Sequence, residues 1–171
     1  MKIKPVNTIF LIMFCIFIIL FSWWIIRAVN EIGLDDVHPN IPCSENLFLE
    51  SDSLWIIPVY KNDSIANYPV WCQYIKSFNK TLGMHGVYHT YREFGEIRNS
   101  SYLDVGVNAF QECFGYKLAI FEAPQIYFNK GNEVLLQKNN LNYYGFYYHL
   151  MTKIFHCNDQ GTKPNWWIRI F

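Results

Sequence analysis

Two pairs of polar side chains in this sequence are suited to binding a divalent metal ion. Asp35 and Asp36 are adjacent carboxylates, and His85 and His89 lie four residues apart with Gly86 between them. A spacing of four places two imidazoles on one face of a helix, and a loop-to-helix junction has the same effect. One carboxylate with two imidazoles is a common ligand set for a catalytic divalent ion, and it leaves coordination positions open for water. The second carboxylate would then be available as a base.

Each pair also has a simpler interpretation. Two adjacent ionised aspartates repel each other, which a nearby cation would relieve, but they also fit a solvated turn in which one Asp caps a helix. Two histidines at this spacing also arise by chance among the five in the chain. The metal hypothesis therefore depends on both pairs meeting at one place in the fold.

The hydrophobic pattern beyond the first thirty residues alternates between two periods. It predicts, in chain order, a strand at residues 54–59, a helix at 70–78, a strand at 81–84, a helix at 103–114, a strand at 117–121, a helix at 133–139 and a strand at 144–150. Such alternation is typical of a parallel sheet with crossover helices, in which ligand sites lie at the carboxyl ends of the strands. Both polar pairs fall near predicted strand ends, so we expect them to meet there.

The order of these motifs resembles the polysaccharide deacetylase superfamily. LDDV at residues 34–37 is followed by HGVYH at 85–89 and then by EF at 93–94. The pattern is most similar to the branch of that superfamily with a His-Gly-x-x-His second motif. The segment that ends in FEAP at residues 121–124 is similar to the third block of that branch. The resemblance extends over residues 33–141, which is most of the chain beyond the apolar N-terminal run.

The resemblance implies both a fold and a chemistry. The fold would be α/β, an incomplete (β/α) barrel of the polysaccharide deacetylase type. The activity would be metal-dependent hydrolysis of the C–N or ester bond of an acetylated polysaccharide or glycan. Asp36, His85 and His89 would hold the divalent ion, which we expect to be zinc. Asp35 would be the base that takes a proton from the attacking water.

The sequence departs from the family pattern in two places. Many relatives carry an arginine in the third block, where it pairs with the base, whereas Glu122 here has the opposite charge. The domain is also short, and the late catalytic histidine is matched by His156, with His149 as a second candidate. The backbone N–H of Gln125 is expected to help hold the oxyanion. A catalytically inactive relative that binds carbohydrate or a surface partner is the alternative function, and an unrelated exported domain is a third hypothesis.

An uncharged apolar run precedes the motifs. Residues 9–26 read IFLIMFCIFIILFSWWII, which is long enough to cross the hydrocarbon core of a bilayer as a helix. The run exceeds the apolar region of most signal peptides, and no clear small-x-small cleavage site follows it. We therefore predict an uncleaved transmembrane signal anchor, with a cleaved signal peptide as the alternative.

Charges around this run predict its orientation. Lys2 and Lys4 precede the run, and acidic residues follow soon after it. The positive-inside rule therefore places residues 1–8 in the cytoplasm. The prediction is a single-pass membrane protein in which a connector at residues 27–32 leads to an extracytoplasmic deacetylase-like domain at residues 33–171.

Composition and cysteine spacing argue against a nucleic-acid-binding surface and against a zinc site made of thiolates. The formal net charge is +0, and there is no basic stripe, which argues against a nucleic-acid partner. Cys43, Cys72, Cys113 and Cys157 lie beyond the apolar run without any CxxC, so a thiolate zinc site is not expected. Four cysteines in an exported domain permit two disulfides in three alternative pairings. Buried free thiols are the other interpretation.

Overall fold

The computed structural model describes residues 5–159, 161 and 163–170, with side chains described from residue 9 onward. Lys2 and Lys4, on which the predicted orientation depends, lie outside this part of the chain. The helices and strands are, in chain order, α1 (Pro5–Val29), β1 (Ile32–Val37), α2 (Glu45–Glu50), β2 (Ser53–Ile56), β3 (Val59–Tyr60), β4 (Asp63–Ser64), α3 (Pro69–Ser77), β5 (Thr81–His85), α4 (Ser100–Phe114), β6 (Ile120–Glu122), α5 (Glu133–Lys138), β7 (Asn142–Tyr144), α6 (Phe146–Met151), β8 (Lys153–His156) and α7 (Asn165–Ile170).

Six strands form one parallel sheet in the order β7-β6-β5-β2-β1-β8, while β3 and β4 pair separately as an antiparallel hairpin. Neighbours in the sheet follow the chain, except that the last strand, β8, pairs with the first. This is the strand order of a (β/α) barrel that is open between β7 and β8. The predicted fold class, an α/β incomplete barrel preceded by one apolar helix, is confirmed.

Two of the predicted helices, α3 and α4, pack against the sheet, and α4 buries more residues than any other described helix. Pro69 starts α3, where its missing N–H costs no helical hydrogen bond. The side chain of Asn99 accepts a hydrogen bond from the Tyr102 N–H at the start of α4, and Gly115 ends α4 in the left-handed conformation. Their buried faces share one core with the sheet, including Ile75, Leu103, Phe110, Phe114, Met84 and Phe121.

The segment after β6 differs from the prediction. Residues 144–150 are aromatic and were expected to form a strand, but β7 ends at Tyr144 and the chain continues as α6. Gly145 breaks the strand, and the Tyr148 hydroxyl then lies 2.9 Å from Ser53 Oγ, where the ring also packs on Trp55. Tertiary packing of these rings therefore outweighs their strand propensity. The strands β1 and β8 are not among the predicted elements.

The helix α1 contains a span, Ile9–Val29, that is long and apolar enough to cross a membrane, as an anchor or a signal sequence would be. The last turns of α1 contact the domain. Trp23 Nε1 donates a hydrogen bond to the Leu150 carbonyl (2.9 Å), and the Arg27 guanidinium donates one to the His149 carbonyl (2.9 Å). The helix therefore ends against α6.

Two disulfides connect distant parts of the domain. One joins Cys43 to Cys157, and the other joins Cys72 in α3 to Cys113 in α4. This is one of the three pairings that the sequence allows. The alternative interpretation, that these four cysteines are buried free thiols, is wrong. The first disulfide ties the chain immediately after β8 to the loop that follows β1.

Candidate metal centre

An irregularity in β1 directs two adjacent carboxylates into the same cavity. The pairing register of β1 with β2 shifts between Leu34 and Val37, and Asp36 has a positive φ of 63°. In a regular strand, consecutive side chains point to opposite faces of the sheet. The bulge removes this alternation, so Asp35 and Asp36 are both buried and both line one cavity.

Two histidines meet the second of these carboxylates. His85 ends β5, and its Nε2 lies 3.6 Å from Asp36 Oδ1. His89 Nε2 lies 2.9 Å from the same oxygen. Ligand atoms of all three residues lie within 4.8 Å of one another. The two imidazoles are brought together by a loop with a left-handed residue at His89 (φ 55°), not by a helix.

A buried glutamate holds the loop that carries His89. Glu93 is fully buried, and its carboxylate accepts hydrogen bonds from three consecutive backbone N–H groups, those of residues 87–89, at 2.9 to 3.0 Å. The Tyr102 hydroxyl donates to it as well, at 2.8 Å. Gly86 has φ +66°, and a Cβ there would lie 2.2 Å from Glu93 Oε2, so the tight loop requires glycine.

His156 approaches Asp36 from the other side. It ends β8, and its Nδ1 lies 3.1 Å from Asp36 Oδ2. Asn165 fixes the backbone at this point, because its side chain accepts from the His156 N–H (3.0 Å) and donates to the His156 carbonyl (2.8 Å). Asp36 is therefore surrounded by three imidazoles.

A second cluster lies directly beside the first. Ligand atoms of Asp35, Glu122 and His149 also lie within 4.8 Å of one another. Glu122 Oε1 is 3.1 Å from His149 Nε2 and 3.1 Å from His85 Nδ1. His149 reaches the cavity from α6, the segment that was expected to be a strand. His85 thus lies between the two clusters.

The burial of three carboxylates in one place shapes their ionisation. Burial raises the pKa of Asp35 well above its usual range, and the charges of Glu122 and Asp36 raise it further. Burial acts in the same direction on Asp36, but its hydrogen bonds with His156 and His89 outweigh it and hold the pKa well below the usual range. The pKa of Glu122 is also lowered, to about 2, because its interactions with the imidazoles of His149 and His85 outweigh the opposing effect of burial.

The cavity between these side chains has a volume of about 280 Å³. Its described lining residues are Asp35, Asp36, His85, His89, Gln125, Ile126, His149, His156 and Gly161. Neither lysine nor arginine is among them. Positive charge to balance the carboxylates must therefore come from imidazolium groups or from a bound cation.

The residues present fit a divalent ion. Asp36, His85 and His89 supply one carboxylate and two imidazoles, which is a ligand set of catalytic sites. Several buried polar atoms in or directly behind this cavity make no hydrogen bond within the described part of the chain: Asp35 Oδ1, His85 Nδ1, both Glu122 carboxylate oxygens and His149 Nε2. Buried groups of this kind are costly unless a partner satisfies them, and a cation would be such a partner.

The structure brings all five residues singled out by the sequence into one cavity: Asp35, Asp36, His85, His89 and His156. Their roles as ligands, base and acid remain predictions. Sequence reasoning assigned no role to Glu93, although it lies within the quoted motif. The available signal was an acidic residue four positions after His89, close to the Gly86 loop. Glu122 was noted for its charge, but its contact with His149 was not foreseen.

No family model matches the sequence, and no curated protein matches it significantly. Among solved structures, the chain is similar to a CE4 family pseudoenzyme from Bacillus anthracis, with 12% identity over 53% of this chain and 32% of that chain and a TM-score of 0.44. It is also similar to a mutant of that protein with restored enzymatic activity. The identity is 11% over 66% of this chain and 41% of that chain, with a TM-score of 0.46.

A third similar structure is the CE4 domain of a multidomain xylanase from the hindgut metagenome of Trinervitermes trinervoides. The identity is 14% over 46% of this chain and 38% of that chain, with a TM-score of 0.37. The chain covers less than half the length of each of these three structures. All three are CE4, or polysaccharide deacetylase, proteins, which is the family that the motifs resemble.

Proposed function

We propose that this chain is a membrane-anchored, metal-dependent carbohydrate deacetylase that hydrolyses an N- or O-acetyl group on a cell-surface polysaccharide. The observation that carries the proposal is the meeting of Asp36, His85 and His89 within 4.8 Å at the carboxyl ends of parallel strands. The substrate class comes from the family resemblance. Zinc is the expected ion, because carboxylate and imidazole ligands suit it.

A divalent ion held by these three side chains would lower the pKa of a water molecule and polarise the acetyl carbonyl. Asp35 would accept the proton of the attacking water. Its carboxylate is buried in the same cavity, and one of its oxygens, Oδ1, makes no hydrogen bond to the described residues. Asp35 must be ionised to accept this proton, so the positive charge of the ion would have to offset the burial and the neighbouring carboxylates that raise its pKa.

His156 would complete the proton transfer. A bond forms between the water oxygen and the acetyl carbon, and the bond from that carbon to the sugar nitrogen or oxygen breaks. The leaving group takes a proton from His156, whose Nδ1 is oriented by Asp36, and the products are acetate and a free amine or hydroxyl. The backbone N–H of Gln125, which lines the cavity with φ 57°, would stabilise the oxyanion.

An aromatic groove next to the cavity supports a carbohydrate substrate. Ile126 lines both, and the groove also contains Tyr143, Phe146 and Tyr147. Phe146 and Tyr147 are 62% and 80% exposed, so their rings are accessible to a ligand in the groove. The apolar face of a sugar ring packs well on such rings.

The two disulfides support an extracytoplasmic location for the domain at residues 33–171, because disulfides persist in oxidising compartments. In this arrangement α1 is the anchor and residues 1–8 are cytoplasmic. Protease added to intact cells should then degrade the domain. Complete protection until the cells are lysed would contradict this orientation.

A catalytically inactive protein that binds carbohydrate through the same site is the second candidate. One observation favours it. Glu122 is buried beside Asp35, where the resemblance implies an arginine. An arginine would stabilise the ionised base, whereas a second carboxylate opposes its ionisation.

Metal content of the full-length chain in detergent micelles tests both candidates. We expect a stoichiometric divalent ion in the wild type and its loss in His85→Ala and His89→Ala. Absence of any ion from the wild type would contradict both functions. Release of acetate from acetylated glycans then separates them. Asp35→Asn should keep an ion and release no acetate, and a fully active Asp35→Asn would show that the base is misassigned.

A further inference from the structure

We infer that Asp35, Glu122 and His149 bind a second divalent metal ion beside the first, so that the cavity holds a dinuclear centre. This inference rests on the proposed function in one respect, that Asp36, His85 and His89 hold the first ion. It adds a site that the family resemblance does not assign. The ligand is a divalent transition-metal ion, because two carboxylates with one imidazole suit such ions.

The geometry of the three side chains is that of a ligand set. One donor atom from each of Asp35, Glu122 and His149 lies within 4.8 Å of the other two, and Glu122 Oε1 is 3.1 Å from His149 Nε2. Ligands at roughly 2.0 to 2.2 Å from a zinc ion lie roughly 3 to 4 Å from one another. The donors come from β1, β6 and α6, so three separate elements converge on this point.

The two carboxylates are buried, and several of the donor atoms make no hydrogen bond. Asp35 and Glu122 are 2% and 1% exposed. Asp35 Oδ1, both oxygens of Glu122 and His149 Nε2 make no hydrogen bond to any described residue. His149 Nε2 and His85 Nδ1 each lie 3.1 Å from Glu122 Oε1, so these imidazoles and Asp35 are its close polar neighbours among the described residues. An ion between these atoms would satisfy all of them at once.

The negative charge of the buried carboxylates also supports the binding of two ions. The described cavity wall contains two carboxylates, Asp35 and Asp36, and neither lysine nor arginine. Glu122 lies behind this wall, with Oε1 3.1 Å from the cavity histidines His85 and His149. Asp36 contacts the imidazoles of the first site, whereas Asp35 and Glu122 face each other and His149. A single ion held by Asp36, His85 and His89 would leave Asp35 and Glu122 buried with only the imidazoles of His85 and His149 beside them. Asp35 would offer one oxygen to the second ion and keep the other for the proton of water.

Zinc counting tests the second site. The full-length chain in detergent micelles is dialysed to saturation against buffered Zn²⁺, and bound zinc per chain is measured by mass spectrometry. We expect two ions in the wild type, one in Glu122→Gln, one in His149→Gln and one in His89→Gln. Glu96→Gln, whose side chain is 83% exposed, is the matched control and should keep two.

Manganese supplies a second readout that does not depend on activity. Two Mn²⁺ ions in one cavity should give an exchange-coupled paramagnetic resonance spectrum, and Glu122→Gln should give that of an isolated ion. One zinc per chain in the wild type, lost in His89→Gln and unchanged in Glu122→Gln, would overturn the second site and leave the proposed function intact. No zinc in the wild type would overturn both. Should Glu122→Gln fail to fold, His149→Gln decides, since its side chain is 15% exposed and is the least buried of the three.

Discussion

The carboxylate of Glu93 accepts a hydrogen bond from the backbone N–H of His89 at 3.0 Å. The same carboxylate binds the two preceding N–H groups, so it fixes the path of the whole loop on which His89 is carried. The position of a predicted metal ligand therefore depends on an acid that does not itself face the cavity. Supporting interactions of this kind usually affect metal affinity strongly.

Replacing Glu93 by glutamine should weaken metal binding. The amide of Glu93→Gln has one acceptor oxygen for three N–H donors, and its own NH₂ would face one of them. We expect zinc affinity to fall about 10- to 100-fold, as measured by competition with a chromophoric chelator. Glu96→Gln is the control and should bind zinc like the wild type. Equal affinities in the two variants would show that Glu93 does not position His89.

A methyl group at Gly86 should destabilise the domain more than one at Gly115. Both glycines have positive φ, but a Cβ at Gly86 would lie 2.2 Å from Glu93 Oε2, whereas nothing lies within 4 Å of one at Gly115. We expect Gly115→Ala to cost about 1 to 2 kcal/mol of unfolding free energy from backbone strain, and Gly86→Ala roughly 2 to 5 kcal/mol. Thermal unfolding followed by circular dichroism measures both. Similar losses would mean that the loop adjusts and that the contact is not limiting.

The sequence predicts much of this arrangement because parts of it are local. The helices α3 and α4 each have one apolar face, a proline or asparagine at the start and, for α4, a glycine at the end. Parallel topology then places the ends of β1 and β5 at the same edge of the sheet. The meeting of the Asp and His pairs follows from this.

The bulge in β1 and the helix α6 depend on tertiary structure, which the sequence pattern does not encode locally. The bulge that turns both Asp35 and Asp36 inward arises from the register of β1 against β2. The helix α6, which carries His149, forms because its aromatic rings pack on Trp55, and aromatic content alone favours a strand. The second cluster was therefore not predictable, since one of its three members was placed in the wrong element.

Removing either disulfide should destabilise the domain by an amount that follows loop length. The pair Cys43–Cys157 spans 114 residues and the pair Cys72–Cys113 spans 41. The chain-entropy model gives losses of about 4.8 and about 3.9 kcal/mol for the two double serine variants. Peptide mapping without reductant should recover these two pairs, and Cys15→Ser should change nothing. Recovery of either other pairing would contradict the structure.

Acid should weaken the fold partly through His38. Burial lowers the pKa of His38 to about 4, against 6.5 when exposed. Its Nδ1 accepts the Asn40 N–H at 3.1 Å, so the neutral ring is the form that fits. Because the unfolded chain binds a proton at higher pH than the folded one, stability from this group is complete above about pH 6.5 and is lost as the pH falls towards 4.

The variant His38→Asn isolates this contribution, since an amide oxygen can replace Nδ1 as the acceptor. Melting temperatures at pH 7.5 and pH 4.5 are compared for the full-length chain in the same detergent. The wild type should lose more on acidification than the variant does. Equal losses would show that His38 titrates normally and that other groups cause the acid sensitivity.

The contact between α1 and α6 limits what the protein can reach. Arg27 and Trp23 donate hydrogen bonds to the carbonyls of His149 and Leu150, so the apolar helix contacts the backbone of a cavity histidine directly. A domain joined to its membrane anchor by a long flexible linker could reach substrates throughout a thick outer polymer layer. With α1 as the proposed anchor, the cavity would stay close to the lipid surface, so only polymer strands lying on the bilayer, or newly emerging from it, would come within range.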